Sequence, residues 1–432
     1  MRRNKLIVYL ILFIWFVISF VTNILGPIMP AIIENYQLSL TMAAFLPFSF
    51  FLAYGIMSAP AGMLIEKFGE KRSMLIAVGL NFIGSFLFAL YPIYGIALAS
   101  LFIIGIGMAM LQVIINPLMR EAGGEENFAF YSVMGQLVFG AASFVSPHVY
   151  TSLINNLKDY KGGGNIVIDT LSKLIPENLA WISLYWIFSL VFIAVIIIIA
   201  FVKLPKVELK DDEKAGAIET YFSLLKNKEV ILFLLGIMAY VGTEQGLANW
   251  MSQFLHTYHG YSPELEGAQA ISWFWGLMSL GCLLGLVLLK ILDSKLVLKI
   301  FTSLSIISVA AALFGSSSVA IIAFPLTGFF ISVMFSIIFS LALNSVKNHH
   351  GAFSGILCSG IFGGALVPLI IGSLGDIFGL KIAMMFLFIS LAYIISIAFW
   401  AKPLVDNKTI SIKELIASIT GKEKLKTIKS HI

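Results

Sequence analysis

Twelve apolar stretches follow one another along the chain, at about 6–29, 41–65, 73–91, 94–118, 127–152, 179–202, 229–255, 266–292, 296–314, 318–346, 352–374 and 380–401. An α-helix rises ~1.5 Å per residue, so about 20 residues cross the ~30 Å hydrocarbon core of a bilayer. With no water there to pair with backbone groups, each stretch is expected to be a helix. Water-soluble folds are excluded by a mean hydropathy of +0.96 and by 59% apolar against 12% charged residues. The first stretch is too long for a secretory signal, and no small-residue cleavage site follows it. The expected class is therefore an all-α membrane protein of twelve transmembrane helices.

Basic residues set its orientation. Arg2, Arg3 and Lys5, the group Lys67, Lys71 and Arg72, the six lysines from Lys203 to Lys228, and the tail from Lys402 to Lys429 all fall on one side. Lys158, Lys161, Lys173 and Lys381 fall on the other, so both termini are expected in the cytoplasm. The net charge of +5 is spread over these loops, which argues against nucleic acid as a partner. The tail segment Ile410–Ile428 is amphipathic and suits either the anionic inner leaflet or water. The lipid bilayer is the one large partner implied; no obligate protein partner is.

Polar residues within the stretches mark where a pathway must lie. Gln112 and Asn116 stand four residues apart beside Pro117, hence on one helix face next to a carbonyl that the proline frees. Gln136 is another amide at this depth. Glu244 is the one carboxylate expected deep in a stretch, and Gln245, Asn249 and Gln253 follow it at helical spacing, with Trp250 among them. Intramembrane ionisable groups line substrate or ion paths more often than they serve structure. Cys282 and Cys358 cannot support a disulfide framework. No His, Cys or carboxylate spacing suggests a metal, and no nucleophile–base pairing suggests hydrolysis. The run Gly162-Gly163-Gly164 lacks the Gly-Lys-Ser/Thr of a P-loop. Neither a cofactor nor an enzymatic activity is expected.

The charged connection at 204–228 leaves six stretches on either side, giving expected halves at 1–203 and 229–402 and a tail at 403–432. Phe139-Gly140-Ala141-Ala142 with Pro147, and Phe362-Gly363-Gly364-Ala365 with Pro368, occupy corresponding places in the halves, as in a duplicated transporter with its site between the repeats. Between the second and third stretches stand Gly62, Glu66, Lys67, Gly69, Lys71 and Arg72. This spacing resembles the conserved loop of the major facilitator superfamily, which implies a loop that biases the cytoplasmic gate.

A narrower resemblance runs from residue 13 to about 376. Phe13-Ile14-Trp15, Asn23-Ile-Leu-Gly-Pro27, Ser58-Ala-Pro60-Ala-Gly62, Leu111-Gln112 with Asn116-Pro117, Tyr240-Val-Gly242-Thr-Glu244 and Ser332 through Ser340 are similar to the fucose/glucose/galactose:proton symporter family. The resemblance implies uptake of a neutral hexose or deoxyhexose across a bacterial inner membrane by alternating access, with protons as co-substrate. Asn23 and Gln112 stand where the well-understood members of that family carry an aspartate and a glutamate, a glutamine at the second place being a variant of many relatives, and neither amide titrates. Coupling is then expected at Glu244, or with sodium, or not at all. The expected sugar contacts are Asn23, Gln112, Asn116, Gln136, Glu244, Asn249 and Trp250, with Trp273 beside Trp275 as a stacking surface. An exporter of amphipathic compounds would use a similar amide and aromatic cavity. A membrane sensor or scaffold would instead depend on the tail.

Overall fold

A computed structural model describes residues 5–124, 128–158, 165–176, 178–204, 218–346 and 349–404. Residues 205–217 of the charged linker, the glycine run and the tail beyond residue 404 therefore lie outside the described residues. Among the described residues, twelve helices are long and apolar enough to cross a membrane. In chain order they are α1 (Lys5–Tyr36), α2 (Leu40–Phe68), α3 (Glu70–Leu90), α4 (Tyr94–Gly123), α5 (Phe128–Lys158) and α6 (Ala180–Phe201). Then follow α7 (Lys228–His259), α8 (Pro263–Ile291), α9 (Ser294–Phe314), α10 (Ser317–Leu343), α11 (Gly351–Phe378) and α12 (Leu380–Trp400). Each expected stretch coincides with one of them.

Local chemistry sets the ends. The Ser39 hydroxyl accepts from Met42 N at 3.2 Å to start α2, the Asn227 side chain accepts from Glu229 N to start α7, and Asp293 Oδ1 accepts from Lys295 N and Leu296 N to start α9. Gly69, at φ 77°, turns the chain between α2 and α3 in a conformation that a β-carbon disfavours.

Three helices are broken at one depth. In α1 regular helix ends at Thr22 and resumes at Leu25, so the span runs on to Tyr36, well past the expected end at residue 29. Pro27 is tolerated because it falls in the first turn of the resumed helix, whose N–H groups lack intrahelical acceptors. In α10 the break lies between Ile331 and Met334, and in α11 a tight turn at Gly360–Phe362 separates two helical pieces.

Buried apolar side chains fall into two clusters, one drawn mainly from α1–α6 and one from α7–α12. Met29, Ala43 and Ala44 belong to the second cluster although they sit on α1 and α2. They mark the end where the two groups of helices touch: the face where α1 ends and α2 begins, opposite the linker face where α6 ends and α7 begins. There a β-carbon on Gly26 would lie 2.1 Å from the Ala248 carbonyl oxygen, and one on Gly372 would lie 2.6 Å from the Leu40 oxygen. Ser272 also donates to the Phe144 carbonyl, and Thr151 Oγ1 donates to the Glu264 carbonyl at 2.5 Å.

Small residues permit equally close packing within each cluster. A β-carbon on Gly107 of α4 would lie 2.5 Å from Ala77 O and 2.6 Å from Asn81 Oδ1 on α3. Gly107→Val is therefore expected to destabilise the protein by about 1–3 kcal/mol. Thermal unfolding in detergent should show a lowered midpoint.

Candidate functional site

The three breaks meet at a cavity of about 320 Å³ between the two groups of helices. Its wall includes Asn23 from the break in α1, Ser332 and Val333 from that in α10, and Ile361 from that in α11. Toward the linker face the lining continues through Trp15 and through Leu286 and Leu289, near the end of α8. Toward the opposite face the helix contacts at Gly26 and Gly372 close it. The cavity thus faces the linker side, and its size lies at the small end of the range for ligand pockets.

Glu244 is the carboxylate on this wall, and it is half-buried. Its Oε2 accepts from Tyr240 Oη at 2.8 Å and its Oε1 accepts from Gln245 Nε2 at 3.1 Å. Tyr240 lies one turn earlier on α7, so helical spacing alone places its hydroxyl beside the carboxylate. Gln245 in turn accepts from Asn249 Nδ2, at 2.8 Å on its backbone oxygen and 3.3 Å on Oε1. Asn249 is buried behind Gln245 and does not line the cavity; it orients the residue that does.

Asn23 combines two roles. It lines the cavity, and its Nδ2 donates to Ser143 Oγ on α5 at 2.8 Å. Ser143 Oγ donates to the Phe139 carbonyl at 3.1 Å, and Ser19 Oγ donates to the same carbonyl at 2.5 Å. The break in α1 is thereby tied to α5 through neutral groups. Gln112 and Gln136 also line the cavity, Gln136 with an exposed side chain. The backbone of Asn116 is helical and one turn beyond Gln112, while its side chain lies outside what is described.

The structure separates the tryptophans. Trp275, with Ser279 one turn on and Cys282 after it, lines the cavity. Trp273 is 46% exposed and packs on Phe144 at 5.4 Å, away from the cavity. Trp250 is fully buried, and its Nε1 donates to the Pro368 carbonyl on α11 at 3.1 Å. Thr22, Phe51, Tyr54 and Ser279 also line the cavity, and none of them is unusual enough in an apolar helix to stand out in the sequence.

The loop after α2 is anchored within its own half. Lys71 Nζ donates to the carbonyls of Ala200 and Val202 at 2.8 and 2.9 Å, where a cation meets the negative end of α6. Lys67 and Arg72 are exposed, Gly62 is half-buried, and the side chain of Glu66 lies outside what is described. Among the described residues, no group of three or more His, Cys, Asp or Glu is placed to hold a metal ion.

The model of the Major Facilitator Superfamily matches residues 11–367. A glucose/galactose transporter of Brucella abortus is 31% identical over 390 residues, covering 89% of this chain and 90% of that one. The L-fucose-proton symporter of Escherichia coli is 23% identical over 385 residues and 85% of each chain. Among solved structures, the transporter FucP in its outward conformation superposes with a TM-score of 0.65 at 21% identity, over 91% of this chain and 98% of that one. An inward-facing bacterial homologue of the lysosomal transporter Spinster gives 0.73 at 15% identity, over 92% and 98%. The chain belongs to the Major Facilitator Superfamily and, within it, to the fucose permease-like family. It is a multi-pass protein of the bacterial inner membrane.

Cys282 offers a test of the cavity's exposure. In a Cys358→Ser background, a maleimide presented at the linker face should alkylate Cys282, and Cys282→Ser should abolish the labelling. A thiol that stays unreactive there would contradict a cavity open on that side.

Proposed function

We propose that the chain imports a neutral monosaccharide, a hexose or deoxyhexose, by alternating access, and that a proton crosses with it through Glu244. One observation supports this most: a mid-membrane cavity that gathers Asn23, Gln112, Gln136 and Gln245 around a single carboxylate and the indoles of Trp15 and Trp275. Amides both donate and accept, which suits hydroxyl groups that do the same. The Trp275 ring offers an apolar face for the carbon-bound hydrogens of a pyranose. The relatives named as glucose/galactose transporters and fucose-proton symporters support the same cargo. Such a protein moves its cargo without altering it, so the reading assigns no enzymatic activity.

In this mechanism residues 1–203 rock against 229–402, and the basic loops place the linker face in the cytoplasm, which makes the present form inward-facing. Lys71 holds the Gly62–Arg72 loop to its own half, so the loop moves with that half as it meets the other. The two donors on Glu244, Tyr240 and Gln245, satisfy an ionised carboxylate on both oxygens. Protonation gives one oxygen a proton to donate and weakens it as an acceptor, and that change couples the carboxyl group to whatever occupies the cavity. Uncoupled transport is the second reading, favoured by the neutral Asn23 and Gln112 on the same wall.

Two measurements test the proposal. Adding glucose, galactose or fucose to de-energised vesicles should alkalinise the medium for the transported sugar, and Glu244→Gln should abolish that signal. A Glu244→Gln variant that still moved protons with sugar would remove Glu244 as carrier, and sugar uptake without proton movement in the unmodified protein would establish the uncoupled reading. By calorimetry on purified protein, Gln245→Ala and Gln136→Ala should each weaken sugar binding by about 10-fold, the loss of one or two hydrogen bonds. Trp273→Ala should leave it within about twofold, as expected of a side chain that packs away from the cavity.

A further inference from the structure

Asp376, in the last turn of α11, reaches into the other half of the molecule. Its Oδ1 accepts from Leu40 N at 2.8 Å, and its Oδ2 accepts from Thr41 N at 2.9 Å and Thr41 Oγ1 at 2.5 Å. Helix α2 begins at Leu40, so two of its otherwise unpaired first-turn N–H groups are satisfied by a carboxylate more than 330 residues away. Ser39 supplies the local cap, and Asp376 adds a negative charge at the positive end of the helix. Two glycines let α11 come this close. A β-carbon on Gly372 would meet the Leu40 oxygen at 2.6 Å and Ala44 Cβ at 2.8 Å, and one on Gly375 would meet Leu40 Cδ1 at 2.8 Å.

Among the described residues a second charged contact crosses this face. Lys158 Nζ pairs with Glu264 Oε1 at 2.6 Å, side chain to side chain, and both this pair and the exposed Asp376 are screened by solvent. Lys71 also meets a helix end, but within one half, where rocking leaves it undisturbed. The partners of Asp376 are two backbone N–H groups and the Thr41 hydroxyl of the opposite half, so opening this face strips all three hydrogen bonds from it at once.

We propose that Asp376 is the latch of the face opposite the linker, and that its cap on α2 sets the balance between the form closed there and the form open there. The latch acts on the empty protein and is independent of the cargo, so it stands or falls apart from the sugar reading.

The test is a distance measurement on the full-length protein in lipid nanodiscs without sugar. Spin labels are placed at Tyr91→Cys and Ser316→Cys, exposed positions on this face, one in each half, with Cys282 and Cys358 replaced by serine. The parent should show mainly the short separation. Asp376→Ala should raise the ratio of long to short separations by about five- to tenfold, the effect of losing a helix cap and its charge. Asp376→Asn, which keeps one acceptor oxygen, should give a smaller rise, and Thr41→Val a smaller one still. If Asp376→Ala does not fold, Asp376→Asn and Thr41→Val decide the matter. Distributions unchanged from the parent in the folded variants would overturn the proposal.

Discussion

Inside a bilayer a polar group has no water to fall back on, and the rest of this molecule is arranged around that constraint. A helix break at mid-membrane depth exposes backbone groups, each costing several kcal/mol if left unpaired in hydrocarbon. Here the breaks in α1, α10 and α11 all open on one cavity, where Asn23, Ser332 and Ile361 form part of the wall. The same constraint gathers the amides: Gln112, Gln136 and Gln245 come from three helices and two halves, yet share that space. A cavity lined this way solves a solvation problem and creates a binding site in the same step.

Alternation between two facing states requires that the seal between the halves be tight yet separable. The seal combines close backbone approach at Gly26 and Gly372 with polar contacts at the edge from Asp376, Glu264 and Thr151. Dispersion across glycine contacts falls off over a fraction of an ångström, and the polar groups at the edge can exchange their partners for water. The bulk of each apolar cluster stays on its own side, and Met29, Ala43 and Ala44 in one direction and Ala268 and Ala365 in the other are the fully buried apolar side chains that join the opposite cluster.

Much of this was legible in the sequence, and the remainder failed for one geometric reason. Twelve stretches, the echo of Pro147 by Pro368, and a lone deep carboxylate at Glu244 need only length and composition to be seen. Helical periodicity relates residues to one another but does not say which way a helix faces. Successive residues are turned by about 100°, so Trp273 and Trp275 point to different sides, and nothing in the sequence says which one meets the cavity. The same rotation sends Trp250 toward α11 and leaves Asn249 one layer behind Gln245. Contacts between distant segments were hidden too: neither the Asn23–Ser143 bond nor the reach of Asp376 to α2 leaves a local pattern. Asn23 and Gln112 stood out in the sequence as amides at membrane depth, and the structure adds that Asn23 holds α1 to α5 through its donor group.

The central claim is that a sugar crosses the membrane through this cavity, and counterflow tests it without assuming any coupling ion. Proteoliposomes loaded with unlabelled galactose, glucose or fucose are diluted into a trace of the same labelled sugar. The account predicts a transient inward accumulation of label for at least one of the three. Label that never rises above the protein-free control for any of them would contradict it.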